Sequence, residues 1–174
     1  CPGAEFGPSK IWPQKKYGQL AKRLTKQGYL VVTIGSKNDS HIGKKISSES
    51  GNLVINLCGQ TTLQEAIEVI GTSDLVISND SGLMHVAAAL DRPLIAIFGS
   101  SSPEFTPPLT ESALISRIEL PCSPCFERSC PLNHLKCLNN ISVQSVENQI
   151  DQLLKQLSEK AIRPKSGNLK SARS

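Results

Sequence analysis

Ser78-Asn79-Asp80-Ser81-Gly82-Leu83-Met84-His85-Val86-Ala87-Ala88-Ala89 sets a turn of small polar residues between two apolar runs. Residues 75–78 read as a short buried strand, and residues 81–90 as a short apolar helix. A strand covered on both faces that passes directly into a helix is half of a βαβ unit, which requires a parallel sheet. The same alternation extends outward in both directions. Upstream, Trp12-Pro13 opens a helix with an apolar stripe at Tyr17, Leu20, Ala21 and Leu24, and Gly28 ends it. Residues 29–34 form a β-branched run expected to be covered on both faces. Residues 35–39 turn into a weaker helix reaching about residue 48, and residues 53–57 give another strand. Thr61 or Thr62 can cap a helix with Leu63, Ala66, Ile67 and Ile70 on one face, and Glu65 gives a capping box to Thr62. Downstream come strands at 93–98 and 114–118, then a cysteine-rich loop at 121–138. A last helix starts at Ser142, with Val143, Val146, Ile150, Leu153, Leu154 and Leu157 on its face. The expected fold is α/β: a Rossmann-like, doubly wound parallel sheet with right-handed crossovers.

The 174 residues suit one ordinary domain, and a 39% hydrophobic content can bury a core. The chain has no apolar run of the ~20 residues a membrane helix needs, and no secretory signal pattern at its start. It begins at Cys1 without Met, as a cut chain would. The net charge of +4 conceals polarity along the sequence. Lys160, Arg163, Lys165, Lys170 and Arg173 occupy the final fifteen residues without an acid, and residues 158–174 are expected to be a basic disordered tail. Residues 1–45 carry nine Lys or Arg against Glu5 and Asp39. Such blocks suit either an anionic partner or a solvated lysine-rich helix face. Aromatic residues make up only 4%, which leaves little for base stacking and argues against nucleic acid.

Ligands of doubly wound sheets sit beyond the carboxyl ends of the strands, which selects the loops at 3–10, 35–39, 58–62, 79–85 and 99–108. In the 79–85 loop, Ser81 can cap the helix and Gly82 leaves the first N–H groups open, an arrangement that binds phosphate. His85 falls one turn in, on the face that can meet the same anion. The carboxylate of Asp80 would repel phosphate and is better suited to accept bonds from hydroxyls or to cap the turn. A capped helix with a buried histidine is the bland alternative. Gly3-Ala4-Glu5-Phe6-Gly7-Pro8-Ser9-Lys10, ahead of Trp12-Pro13, is a second anion-suited helix start, although it lacks P-loop spacing.

Cys122-Ser123-Pro124-Cys125 followed by Cys130 and Cys137 gives CxxC-x4-C-x6-C, with His134 between the last two. The opening CxxC suits a structural zinc or iron–sulfur centre, and the later spacings fit no standard motif. Metal, reduced thiols and disulfides all remain open. If a metal binds, Cys122, Cys125, Cys130 and Cys137 are the expected ligands, with His134 as substitute. Cys1 and Cys58 read as isolated thiols.

The segments CPGAEFGPSKIWP at 1–13, NDSGLMHVAAALDRP at 79–93 and FGSSSPEFTPPL at 98–109 resemble the ADP-heptose:lipopolysaccharide heptosyltransferases, family nine of the glycosyltransferases. The resemblance runs from residue 1 to about 157 and implies the second of two Rossmann-like domains of a GT-B enzyme, the one that grips the nucleotide sugar. It implies that Lys10 contacts the donor diphosphate, and that Asp80, Ser81, Gly82 and His85 hold diphosphate and heptose. It also implies that Asp39 stands near the ribose or sugar, that Thr61 lines the adenine pocket, and that Glu5 and Phe6 lie over the phosphates. The catalytic base belongs to the N-terminal acceptor domain and has no match here. The implied reaction moves heptose from ADP-heptose to the lipopolysaccharide inner core with inversion and no required cofactor, in the cytoplasm or at the inner membrane's edge. Two other classes fit parts of the chain. One is a metal-clipped module for an anionic partner, which leaves Asp80 and Thr61 idle; the other is half of a nucleotide-sugar epimerase or hydrolase.

Overall fold

The computed structural model describes residues 1–162. Helix α1 (Gln14–Lys26) leads to β1 (Val32–Thr33), α2 (Ser40–Ser50), β2 (Ile55–Asn56) and α3 (Leu63–Gly71). Strand β3 (Val76–Asn79), α4 (Gly82–Ala89), β4 (Leu94–Ile97) and β5 (Ala113–Ser116) follow, then α5 (Lys136–Asn139) and α6 (Val143–Ile162). Every strand pairing is parallel, as the βα alternation requires. The strands form two sheets, β1-β2 and β3-β4-β5.

Alternation along β4 divides the core. Ile95 and Ile97 face one way and pack with Trp12, Leu20 and Leu24 around α1, Ile42 and Ile46 of α2, and Val146, Ile150 and Leu153 of α6. Leu94, Ala96 and Phe98 face the other way and pack with Ala66 and Ile70 of α3 and Met84, Ala87 and Ala88 of α4. A strand buried on both faces by two helical layers is what an uninterrupted apolar run in a parallel sheet means physically. Trp12 is wholly buried. Its indole Nε1–H donates to Ile141 O at 3.1 Å, and its ring meets Tyr17 edge-on at 4.9 Å.

The local signals hold where their partners are close in sequence. Thr62 and Glu65 cap α3 reciprocally, with Thr62 N–H donating to Glu65 Oε2 at 2.7 Å and Glu65 N–H donating to Thr62 Oγ1 at 3.2 Å. Gly28, at φ +95°, follows the end of α1.

Three expectations are corrected. Tyr29 and Leu30 are exposed, so cover on both faces holds only for residues 31–34, where Val31 packs on one core cluster and Val32 and Ile34 on the other; Leu53, ahead of β2, and Ile55 within it are exposed as well. β1 pairs with β2 alone, and an apolar cavity of about 360 Å³ lies between Val31–Ile34 and Leu75–Ile77, in the space between the two sheets. Leu63 is exposed rather than part of the α3 core face, because it stands at the rim of the pocket described below. The last helix continues to Ile162, into the stretch expected as tail, since Leu153, Leu154 and Leu157 carry it along the core. The rest of the expected tail lies outside the described residues. None of the described helices is long and apolar enough to cross a membrane.

Candidate functional site

The loops at the carboxyl ends of the strands enclose a pocket of about 780 Å³. All nine donor-site candidates line it: Glu5, Phe6, Lys10, Asp39, Thr61, Asp80, Ser81, Gly82 and His85. They come from four loops far apart in sequence, brought together because parallel strands all end on one edge. α4 starts at Gly82, so its first backbone N–H groups stand at the pocket wall, and nothing lies within 4 Å of a Cβ built there. His85 is exposed toward the pocket, which removes the buried-histidine alternative.

Ser81 occupies the N-cap position but makes no side-chain cap bond, contrary to the capping expectation. Its hydroxyl lies 3.4 Å from that of Ser78 instead. Asp39 is turned to local use. Its Oδ2 accepts from Ser36 N–H at 2.8 Å and Ser36 Oγ at 2.7 Å, capping the turn ahead of α2. Thr61 sits at the pocket wall just ahead of the α3 cap, and Ser36, Leu63 and Thr106 line the pocket as additional members.

The electrostatic centre is Lys10. Its ammonium donates to Asp80 Oδ2 at 2.5 Å and lies 4.8 Å from the centre of the Phe6 ring. The guanidinium of Arg128 approaches the same ring at 5.4 Å. Asp80 is only 3% exposed, and the Lys10 side chain 14%. The paired carboxylate leaves the ammonium two further protons for a ligand, since lysine has three. Asp80 therefore orients the cation, rather than meeting an anion itself.

Asn79 is the residue that composition and spacing did not single out. Wholly buried at the end of β3, its Oδ1 accepts from Trp12 N–H at 3.1 Å and from Tyr17 Oη–H at 3.0 Å, while its Nδ2 donates to Pro2 O at 2.7 Å. Burial pushes the Tyr17 phenol well above its ordinary pKa, so it stays a neutral donor. One amide thus ties the sheet edge to both ends of the 3–10 loop. Gly7, at φ +150°, takes that loop past the cysteine-rich segment, where a Cβ would stand 2.5 Å from Arg128 O.

Around that segment, Cys122, Cys125, Cys130, His134 and Cys137 line a small cavity of about 20 Å³. No disulfide joins any of the six cysteines. Among the described residues no group of three or more His, Cys, Asp or Glu side chains is placed to hold a metal ion. The four thiols therefore share one cavity without the convergence of a preformed metal site. Cys137 is buried in the core on α5, and Cys130 is engaged by the amides of its own turn. The N–H of Leu135, then those of His134, Leu132 and Asn133, hold the Cys130 thiol below the ordinary cysteine range. Burial pushes Cys58 and Cys137 up. The thiolate is the reactive form, so limited iodoacetamide at pH 8 is expected to label Cys130 well before Cys58 and Cys137. Peptide mass spectrometry checks this; Cys58 or Cys137 reacting first would contradict it.

Residues 1–136 match glycosyltransferase family 9 (heptosyltransferase). The chain belongs to this family. It is 51% identical over 122 residues to lipopolysaccharide heptosyltransferase 2 of Salmonella typhimurium, covering 68% of this chain and 35% of that protein. The solved structure of Escherichia coli ADP-heptose lipopolysaccharide heptosyltransferase II superposes with a TM-score of 0.79 at 41% identity, covering 91% of this chain and 46% of that one. The Escherichia coli heptosyltransferase WaaC with ADP shares the fold at a TM-score of 0.65 and 23% identity. The chain thus spans about a third to a half of these relatives, and the family fold accounts for the parallel α/β architecture built above.

Proposed function

We propose that this chain is the donor-binding half of an inverting heptosyltransferase that moves L-glycero-D-manno-heptose from ADP-heptose to heptose I of the lipopolysaccharide inner core. Residues 1–157 are the nucleotide-sugar domain, and the acceptor domain with its catalytic base is the other half of the enzyme. The observation that carries this is the pocket that brings Lys10, Asp80, the N-terminus of α4 and His85 together at the carboxyl edge of the sheet. The family relationship and the ADP held by WaaC support adenine as the base.

In this reading Lys10 and the α4 amides take the diphosphate, Glu5 and Phe6 close over it, Thr61 lines the adenine side, and Asp39 and His85 face the ribose and heptose. Positive charge at the leaving ADP lowers the barrier, because negative charge grows on the diphosphate as the glycosidic bond breaks. Transfer needs no cofactor. A zinc or iron–sulfur centre at Cys122, Cys125, Cys130 and Cys137 would be a clip for the loop carrying Arg128, outside the chemistry; elemental analysis of the purified protein tests it, with substoichiometric metal counting against it. The enzyme works in the cytoplasm, with peripheral contact at the inner membrane of a Gram-negative bacterium, where its acceptor lies.

The experiment is transfer itself. The purified chain, given ADP-heptose and an acceptor ending in heptose I, is expected to bind donor and release no ADP. Heptosylated product formed by the chain alone would overturn the assignment of the base to the other half.

A further inference from the structure

The Phe98-Gly99-Ser100-Ser101-Ser102 segment after β4 buries three consecutive serines, each below 5% exposed, at the start of the loop that reaches the donor pocket at Thr106. A buried hydroxyl without a partner is costly, so where each one points is informative. Ser100 Oγ donates to Ser9 Oγ at 2.9 Å, and Ser9 Oγ in turn donates to Glu127 O. Ser100 also gives its N–H to Ser9 O at 3.2 Å and takes the N–H of Phe126 at 2.7 Å. Ser102 Oγ accepts the N–H of Glu104 at 3.2 Å. These two serines lock backbone to backbone. Ser101 is different: its hydroxyl donates to Asp80 Oδ2 at 2.6 Å, the same oxygen that receives the Lys10 ammonium at 2.5 Å.

We propose that Ser101 is a positioning residue for the donor diphosphate, fixing the Asp80 carboxylate so that Lys10 presents its two remaining ammonium protons to the pocket. This rests on the donor-half reading above. Lys10 reaches the pocket on a long, flexible stem, and the carboxylate is the charged partner that fixes where its ammonium stands, beside the Phe6 ring. Among the described residues, Asp80 has one cation within ion-pair distance, Lys10. A neutral hydroxyl pins its rotamer without adding a positive charge that would compete with Lys10 for the same oxygen. Ser101 and Asp80 belong to successive βα units, 21 residues apart, so the bond also holds the end of β3 and the loop after β4 in register at the pocket.

The test reads binding and geometry separately. Ser101→Ala is expected to weaken ADP binding about three- to tenfold, to leave adenosine binding unchanged, and to add less than twofold in a Lys10→Met background; Ser101→Thr, which keeps the hydroxyl, is expected to restore the ADP affinity. Without any ligand, heteronuclear NMR of the side-chain ammonium groups should show a distinct, exchange-protected Lys10 signal in the unaltered chain and in Ser101→Thr, averaged with the solvent-exposed lysines in Ser101→Ala. A protected Lys10 signal in Ser101→Ala overturns the positioning role, as does an equal effect on ADP and adenosine. An unaltered chain that shows the protected signal but binds no ADP would instead fail the donor reading, and leave Ser101 holding a charge pair of another purpose.

Discussion

Replacing Lys10 with alanine is expected to weaken ADP binding roughly ten- to a hundredfold, in line with the loss of charge-assisted hydrogen bonds of about 1.5–3 kcal/mol, while adenosine binding stays within about twofold. The split follows from the geometry. Lys10 stands at the Phe6 end of the pocket, while Thr61 marks the proposed adenine side, so only ligands with phosphate feel the change. The same substitution has a second effect. Asp80 is 3% exposed and would be left with Ser101 as its remaining side-chain partner, and removing one member of a buried pair costs about 3–5 kcal/mol in stability. The 14% exposure of Lys10 puts the expectation at the low end. Lys10→Ala combined with Asp80→Asn separates the two effects: stability returns because the uncompensated charge is gone, and ADP affinity does not. Titration of ADP and adenosine against each variant, together with chemical denaturation, reads both. Equal losses for the two ligands would remove the phosphate role from Lys10.

Asn79→Leu is expected to be the most destabilising single change at the site, at about 3–5 kcal/mol. Leucine keeps the branching of the amide but is the bulkier side chain, so overpacking adds to a loss whose main cause is hydrogen bonding. Three buried groups lose their partner at once, namely the Trp12 N–H, the Tyr17 hydroxyl and the Pro2 carbonyl, and each orphaned group costs about 1–3 kcal/mol. Relaxation keeps the sum below full additivity. Tyr17→Phe removes one donor and leaves the amide its other two bonds, so about 1 kcal/mol is expected there. Denaturation midpoints check the pair. An Asn79→Leu loss no larger than that of Tyr17→Phe would show that the amide does not organise the 3–10 loop.

These two residues also mark what was legible in the sequence. Capping of α3 was, because Thr62 and Glu65 lie three apart and their geometry is fixed by the helix alone. The pocket was legible as a set of loops, because parallel strands deliver every carboxyl end to one edge, and the nine candidates duly share one wall. Partners within the pocket were not. Lys10 was expected to face phosphate, and in the structure it also holds Asp80, 70 residues away. Asp39 was expected at the sugar; it does line the pocket, but one of its carboxylate oxygens accepts from Ser36 three residues back, a partner the sequence reading did not supply. Ser101 stood inside a quoted motif without a role, because its partner is set by the stacking of two βα units, which no local pattern encodes. Cover of the 29–34 run on both faces failed at Tyr29 and Leu30 for a related reason. A β-branched run predicts a strand, but coverage depends on what lies beside it, and only residues 31–34 reach the helices. The cysteines show the same limit: spacing suggests four thiols near one another, and they do share a cavity, but the turn whose amides surround Cys130 is not written in the spacing.

An adenine-selective diphosphate site on this chain should show itself in calorimetric titration with ADP beside UDP. ADP is expected to bind with at least tenfold preference over UDP, and Asp80→Ala to lose most of the ADP heat because the cation it orients is released. Equal or tighter binding of UDP would contradict the adenine assignment and favour the nucleotide-sugar epimerase class, and ADP binding undiminished in Asp80→Ala would contradict the Lys10–Asp80 site itself.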